Sequence, residues 1–234
     1  MPKWLDNAVF YEIYPQSFLD TNADGIGDFQ GIINKLDYIR GLGCNALWIN
    51  PCFLSPFGDA GYDVADYYRV APRYGTNEDL KRLFAEAHKR EIHVLLDLVP
   101  GHTSVEHEWF RESMKAERNA YTDRYVWTDS VWEAPENMGC LRGISQRDGS
   151  CAINFFTCQP ALNYGYYNRT RPWQQSPDDE GPKATLNAMM DVMRFWLGLG
   201  CDGFRVDMAA SLVKNDPDSL GTIALWQKVR AFLD

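Results

Sequence analysis

Four short apolar segments, separated by amphipathic helical patterns, constrain the fold of this chain more than any other feature. Each segment has the length and composition of a buried strand, and together they occupy residues 8–15, 46–51, 93–99 and 203–209. Apolar residues recur at helical spacing between the first two segments, at Phe29, Ile32, Ile33, Leu36 and Ile39. Since alternating strands and helices build parallel sheets, the sequence predicts an α/β fold.

The third and fourth segments are separated by about a hundred residues, far more than one crossover helix requires. We therefore expect a first domain part at 1–101, an inserted subdomain at 102–182, and a return to the sheet at 183–234. Four strand–helix units make half of an eight-stranded barrel, which would leave two exposed sheet edges. The expectation is that a C-terminal half, in the same protein or in a separate chain, completes the barrel.

Composition excludes some classes of partner. The 234 residues carry a net charge of −9 without a basic cluster, so nucleic acid is not an expected partner. No apolar run approaches the roughly 18 residues of a membrane-spanning helix, and no apolar signal segment opens the chain. The six cysteines lack metal-site spacing, which predicts reduced thiols and a cytoplasmic location, although a Cys140–Cys151 bridge is left open.

An arginine and an aspartate lie two residues apart in the fourth segment, at Arg205 and Asp207. Alternation along a strand places both side chains on one face. The carboxyl end of a barrel strand is where active sites are built, and a neighbouring arginine keeps a carboxylate ionised. An ionised, held carboxylate suits nucleophilic catalysis, while the alternative is a structural ion pair. Asp97, in the third segment, is expected to be structural, bonded among the strands or to Arg205.

Oxygen-bearing side chains alternate along residues 20–28, in the order D-x-N-x-D-G-x-x-D. A loop of this kind, with a glycine that allows a sharp turn, is what a hard cation requires. The pattern is not a complete EF-hand, because Gly31 occupies the position of the terminal glutamate. The alternative interpretation is a turn held only by Asx hydrogen bonds.

Five motifs occur in order along the chain: DTNADGIGD at 20–28, AGYDV at 60–64, DLVPGH at 97–102, QPALN at 159–163 and GFRVD at 203–207. With these motifs the chain resembles the N-terminal half of α-amylase superfamily glycoside hydrolases (family 13). Within that superfamily it is most similar to the α-glucosidase, oligo-1,6-glucosidase and trehalose-synthase branch. The resemblance implies a (β/α)8 TIM barrel, represented here by its first four βα units, with subdomain B inserted after strand 3.

The same resemblance implies roles for individual residues. Asp207 would be the nucleophile and Arg205 its orienting partner. Asp59 and His102 would bind hydroxyls of the sugar in the −1 subsite, and Tyr62 would stack against that sugar. Phe155 would be another aromatic side chain near the substrate. A structural Ca²⁺, with Mg²⁺ as a possible substitute, would be held by Asp20, Asn22, Asp24, Ile26 and Asp28. The family's acid–base glutamate follows strand five, and residues 208–234 contain no glutamate, so the C-terminal half would complete the catalytic set.

The leading functional hypothesis is a retaining α-glucoside hydrolase that acts on short α-linked gluco-oligosaccharides by double displacement. It would be complete only with the C-terminal half, so the isolated chain is expected to be inactive. One alternative is an α-glucoside isomerase or transglycosylase of the same fold; another is a catalytically inactive binding or scaffold relative. The tryptophans of the inserted region either line the substrate cleft or fill the core: Trp127, Trp132 and Trp173.

Overall fold

A computed structural model describes residues 2–234, which form two compact units. Unit 1 comprises the described residues up to Leu54 together with Asp66–Leu98 and Met193–Val206. Unit 2 comprises Ser55–Ala65, Val99–Val192 and Asp207–Asp234. Each unit is thus assembled from three separate stretches of chain. The domain limits at residues 102 and 182 stay a prediction.

The chain contains eight strands and seven α-helices among its described residues. The strands are β1 Phe10–Ile13, β2 Ala46–Ile49, β3 Phe53–Leu54, β4 Asp66–Val70, β5 His93–Leu98, β6 Cys140–Leu141, β7 Cys151–Ala152 and β8 Gly203–Val206. The helices are α1 Pro15–Phe18, α2 Phe29–Asn34, α3 Leu36–Gly41, α4 Asn77–His88, α5 Glu108–Ser113, α6 Glu180–Gly198 and α7 Leu220–Leu233. Two short 3₁₀ turns, Lys3–Asn7 and Ala209–Ser211, complete the set.

Unit 1 is built on a four-stranded parallel sheet in the order β1-β2-β5-β8. Each of the four predicted apolar segments contributes one of these strands, which confirms the α/β prediction. The two central strands are largely buried, whereas the outer strands are partly exposed. The register pairs Asp97 of β5 with Arg205 of β8, so these two residues lie side by side at one end of the sheet.

The helix predicted across residues 29–39 is two helices in the structure. Its backbone leaves the helical region at Lys35 (φ −109°, ψ 3°), where the chain turns between α2 and α3. Asp28 caps α2 by accepting a hydrogen bond from the backbone N–H of Gly31, and Thr76 caps α4 in a reciprocal capping box with Asp79. These caps fix the residue at which each helix begins.

Unit 2 consists of short elements and isolated bridges around a small apolar cluster. The antiparallel pair β6–β7 is accompanied by bridges such as His102 to Ala161 and Trp127 to Cys151. The buried cluster comprises Val126, Ala152, Ala161 and Tyr166. All six cysteines are free thiols, so Cys140 and Cys151 are not bridged. Over residues 2–234, no helix combines the length and hydropathy needed to cross a membrane.

Candidate active site

Arg205 of unit 1 is held by a buried carboxylate and an indole ring. Its Nη1 lies 3.1 Å from both carboxylate oxygens of Asp97, whose side chain is fully buried. Trp48 donates from Nε1 to the same carboxylate at 2.9 Å, and the guanidinium carbon lies 4.6 Å from the Trp48 ring centroid. Asp97 therefore has the structural role expected of it, and the pair fixes the Arg205 head group.

Unit 2 contains a pocket of about 230 Å³ that brings together five of the six predicted catalytic and substrate-binding residues. Asp207 lines it together with all four residues predicted to bind the sugar, and Met208 completes the wall: Asp59, Tyr62, His102, Phe155, Asp207 and Met208. These residues come from four separate stretches of sequence. The convergence is geometric, and the role of each residue stays a prediction.

Asp59 is positioned by a buried polar network. Its Oδ2 accepts a hydrogen bond of 2.7 Å from Nε2 of Gln159, and its backbone N–H donates to Asp63 at 3.1 Å. Asp63 is itself buried and accepts from the Ser55 hydroxyl at 2.8 Å. Burial raises the pKa of Asp59, and the nearby carboxylates of Asp63 and Asp207 raise it further against the Gln159 hydrogen bond. Asp59 therefore keeps its proton to a higher pH than an exposed aspartate does.

His102 is 2% exposed and both of its ring nitrogens have protein partners. Nε2 lies 3.2 Å from the carbonyl oxygen of Tyr62, and Nδ1 lies 3.0 Å from Nδ2 of Asn154. Burial lowers the pKa of His102 to about 4, although the negative charge of Asp207 acts in the opposite direction. The imidazole is therefore neutral near pH 7, and it presents no net charge to the pocket.

Asn154 and Lys214 support His102 and were not found by sequence reasoning. Lys214 is buried, and its Nζ donates to the carbonyl of Ser211 at 2.6 Å and to Oδ1 of Asn154 at 3.4 Å. Burial lowers the pKa of Lys214 to about 8. The only signals in the sequence were proximity to Phe155 and to Asp207, which do not distinguish these residues from ordinary surface side chains.

Gly101 leaves the room that Asn154 occupies. A Cβ atom built on Gly101 would lie 2.7 Å from Nδ2 of Asn154, closer than real Cβ contacts come. The glycine before His102 is therefore a packing requirement of the Asn154–His102 hydrogen bond.

The aromatic and apolar wall of the pocket faces solvent in part. Phe155 and Met208 are exposed, and Phe155 contacts the ring of Phe156 edge-on at 4.6 Å. Met208, directly after Asp207, has the left-handed backbone conformation (φ 47°). None of the three tryptophans of the inserted region lines this pocket: Trp127 is buried elsewhere, Trp132 is exposed, and Trp173 packs on the apolar cluster.

The loop at residues 20–28, in unit 1, is organised by side chains that accept backbone N–H groups. Asp20 accepts from Asn22, Ala23 and Gly25 at 2.7–3.0 Å, and these bonds, led by that of Gly25, lower its pKa. The side-chain oxygen of Asn22 accepts a hydrogen bond from the backbone N–H of Asp24, and the carboxylate of Asp24 accepts one from the backbone N–H of Ile26. A carboxylate oxygen has two acceptor sites, so these contacts leave capacity to bind a cation.

Asp28 differs from the other acidic residues of the loop. Its two oxygens accept from Gly31 N–H and from both the N–H and hydroxyl of Thr21. Within residues 2–234, no three histidine, cysteine or acidic side chains are grouped as metal ligands would be. The donor chemistry of Asp20, Asn22 and Asp24 fits a hard cation, whereas the Asp28 carboxylate is already engaged as a helix cap.

Comparison with known proteins connects this geometry to characterised relatives. The sequence profile described as "Alpha amylase, catalytic domain" matches residues 12–224. An oligo-1,6-glucosidase of Heyndrickxia coagulans is 40% identical over 92% of this chain and 37% of its own length. A trehalose synthase/amylase of Mycolicibacterium smegmatis is 40% identical over 91% of this chain and 35% of its own. The chain thus spans a little over a third of the curated relatives it matches.

Solved structures show the same relationship. A mutant isomaltulose synthase of Erwinia rhapontici NX5, crystallised with its natural substrate sucrose, has a TM-score of 0.77 and 39% identity. The match covers 91% of this chain and 36% of that one.

Proposed function

The chain belongs to the alpha-amylase family, and from this premise we propose that the full-length protein is a retaining hydrolase of short α-linked gluco-oligosaccharides. The convergence of Asp207 with Asp59, Tyr62, His102 and Phe155 around one pocket carries the proposal. A carboxylate among hydroxyl-binding and aromatic side chains supplies the nucleophile and sugar-binding part of what retaining glycoside cleavage requires.

Asp207 is the proposed nucleophile. Its carboxylate attacks the anomeric carbon, the bond to the leaving oxygen breaks, and a glycosyl ester forms on the enzyme. Water then attacks the same carbon and releases the sugar with the carboxylate restored. The carboxyl that first protonates the leaving oxygen and then activates the water belongs, in this proposal, to the C-terminal half of the full-length protein. A cytoplasmic location stays a prediction.

Asp59 and His102 supply opposite hydrogen-bonding capacities to the sugar. Asp59 accepts from sugar hydroxyls when ionised, while a neutral His102 with its proton on Nε2 donates to a hydroxyl only by sharing the hydrogen bond it makes to the carbonyl of Tyr62. A carboxylate at the closed end of the −1 subsite favours the non-reducing end of a short α-glucoside. Tyr62 and Phe155 contribute ring surface against the apolar faces of the sugar.

A second reaction of the same site is isomerisation or transglycosylation, in which a sugar hydroxyl replaces water in the second step. The similarity to an isomaltulose synthase and to a trehalose synthase/amylase favours this candidate. Chromatographic analysis of products from maltose, isomaltose, sucrose and trehalose separates the two: glucose release supports hydrolysis, and a rearranged disaccharide supports transfer.

Replacement of the nucleophile tests the proposed mechanism in the full-length protein. Asp207→Asn should lower turnover by several orders of magnitude, because an amide cannot form the glycosyl ester. Asp218→Asn, an exposed aspartate of the same unit, serves as the matched control. A fluorinated glucosyl fluoride should label the wild-type protein covalently on Asp207, as seen by peptide mass spectrometry. Near wild-type turnover in Asp207→Asn, or a label on another residue, would overturn the assignment.

We also propose that the loop at residues 20–28 binds one structural cation, Ca²⁺ or alternatively Mg²⁺. The ligands would be Asp20, Asn22, Asp24, Ile26 and Asp28. The carboxylates of Asp20 and Asp24 keep acceptor sites for a cation, which supports the proposal. Cation binding would have to alter the hydrogen bonds that Asp28 accepts from Thr21 and Gly31.

A further inference from the structure

A second cavity lies in unit 2 and shares no lining residue with the pocket around Asp207. Its volume is about 250 Å³, and two tryptophans singled out in the sequence, Trp127 and Trp173, belong to its wall. Most of the wall is polar, which distinguishes this cavity from an ordinary packing defect in an apolar core.

Two buried hydrogen-bond donors on this wall have no protein partner. Trp127 is 6% exposed and Tyr166 is 5% exposed. Neither Nε1 of Trp127 nor the hydroxyl of Tyr166 has a hydrogen-bond partner among the described residues. Buried donors nearly always have a hydrogen-bond partner, because an unpaired donor loses its hydrogen bonds to water without replacement and so destabilises the folded state. The two donors on one cavity wall therefore indicate a bound polar group.

Charges of both signs line the cavity in equal number. Arg118 pairs with Asp123 at 2.6 Å. Arg147 is fixed through Nη1 by the carbonyls of Ser113 and Thr122, which leaves its other N–H groups for further partners. Asp129 also lines the cavity, and its negative charge acts on Arg147. Two guanidinium groups against two carboxylates give a wall without net formal charge.

The aromatic residues contribute unequal surfaces. One face of Trp127 is covered by Phe110, which is nearly parallel at 6.0 Å, and the guanidinium of Arg147 lies 4.9 Å from its ring centroid. Trp127 therefore contributes its N–H edge, and not a free ring face, to the cavity wall. Trp173 uses its own N–H on Glu133 at 2.8 Å and, with Pro172, supplies the apolar part of the wall.

We propose that this cavity binds a small neutral polyhydroxylated molecule, about the size of one sugar unit. Hydroxyl groups both donate and accept, so they satisfy the carboxylates of Asp123 and Asp129 as well as the donors of Arg147, Trp127 and Tyr166. A charged ligand would meet two groups of its own sign. The volume corresponds to about eight water molecules and lies below the range of drug-sized ligands.

This inference stands apart from the proposed catalysis, since the two sites have separate walls. The test uses full-length protein and D-glucose, with binding measured by equilibrium dialysis and by tryptophan fluorescence. Tyr166→Phe removes only the buried hydroxyl at the cavity. Tyr164→Phe is the matched control, because it removes another buried, unpartnered tyrosine hydroxyl of unit 2 that does not line this cavity.

The expected result is one glucose bound at this cavity in addition to any bound at the pocket. Tyr166→Phe should weaken the cavity site about two- to tenfold, as loss of one neutral hydrogen bond predicts, and leave kcat/KM for an α-glucoside unchanged. Tyr164→Phe should alter neither quantity. Equal glucose binding by the two variants, or crystals soaked in glucose that show only water in the cavity, would overturn the proposal. A protein without glycosidase activity that still binds glucose here would refute the catalytic proposal alone.

Discussion

Nδ2 of Asn154 lies 3.0 Å from Nδ1 of His102, and this contact determines which ring nitrogen carries the proton. An amide nitrogen can only donate, so Nδ1 accepts, and Nε2 carries the proton that it shares with the carbonyl of Tyr62. Lys214 donates to Oδ1 of Asn154 and thereby fixes the orientation of the amide. His102 therefore presents no acceptor nitrogen to the pocket, and its one N–H is shared with the carbonyl of Tyr62.

Asn154→Asp should reverse the polarity of this contact. The carboxylate accepts a hydrogen bond, which draws a proton to Nδ1 and raises the pKa of His102. Nitrogen-15 NMR of histidine-labelled full-length protein reads the tautomer directly, and the acidic limb of the kcat/KM profile should move to higher pH. Asn168→Asp, which lies in the same unit, is the control. An unchanged Nε2–H tautomer in Asn154→Asp would contradict the assignment.

Gly101→Ala should displace Asn154 rather than unfold the protein. The new Cβ would meet the end of a flexible side chain, so the expected loss of stability is only about 1 kcal/mol. The His102 tautomer should nevertheless become mixed, because Nδ1 loses its donor. Gly198→Ala, where no atom lies within 4 Å of the added Cβ, is the control. Thermal unfolding measures the loss of stability, and nitrogen-15 NMR measures the His102 tautomer. A single, unchanged tautomer in Gly101→Ala would contradict the inference that Gly101 makes room for Asn154.

Acidification should destabilise unit 2 through two buried histidines. Burial lowers the pKa of His102 to about 4 and that of His107 to about 3, from an ordinary value of 6.5. Below pH 6.5 these histidines bind protons in the unfolded chain but not in the folded one. The free energy of unfolding is therefore highest above pH 6.5 and decreases as the pH drops towards 4. At pH 5, each histidine lowers the free energy of unfolding by about 2 kcal/mol relative to its value above pH 6.5.

His107→Asn isolates one of these contributions. His107 caps α5 by accepting from the N–H of Trp109, and asparagine preserves that capping role. Denaturant unfolding of wild type and variant at pH 5 and pH 7 should show a smaller pH dependence in the variant, by about 2 kcal/mol. Identical pH dependence in the two proteins would show that His107 does not titrate as its burial requires.

Removal of the proposed cation should lower the unfolding temperature more than it changes turnover. A ligand bound only to the folded state stabilises by mass action, and the loop at residues 20–28 is not part of the pocket around Asp207. Chelation should lower the Tm of wild type, and Asp20→Ala should remove the response to added Ca²⁺. Asp6→Ala, at another exposed aspartate of unit 1, should retain it. If neither chelator nor Ca²⁺ changes the Tm of wild type, the cation proposal is wrong and the loop is held only by Asx hydrogen bonds.

The sheet and the pocket could be predicted from sequence because their signals are local. Each strand is an apolar segment, and Asp59, His102 and Asp207 lie in recognisable motifs. The support of His102 could not be predicted, because Asn154 lies 52 positions after His102 and Lys214 lies a further 60 positions after Asn154. The break at Lys35 was also missed, since the apolar spacing continues through it while the backbone does not.

The interleaving of the two units along the chain determines when each can be completed during synthesis. Asp97 on β5 meets Arg205 on β8 only after 108 further positions have been added. Until then β5 presents an unpaired edge while residues 99–192 of unit 2 emerge. Pairing over such separations is slow, and open strand edges attract other chains. The nascent chain should therefore depend most on chaperones between the emergence of β5 and that of β8.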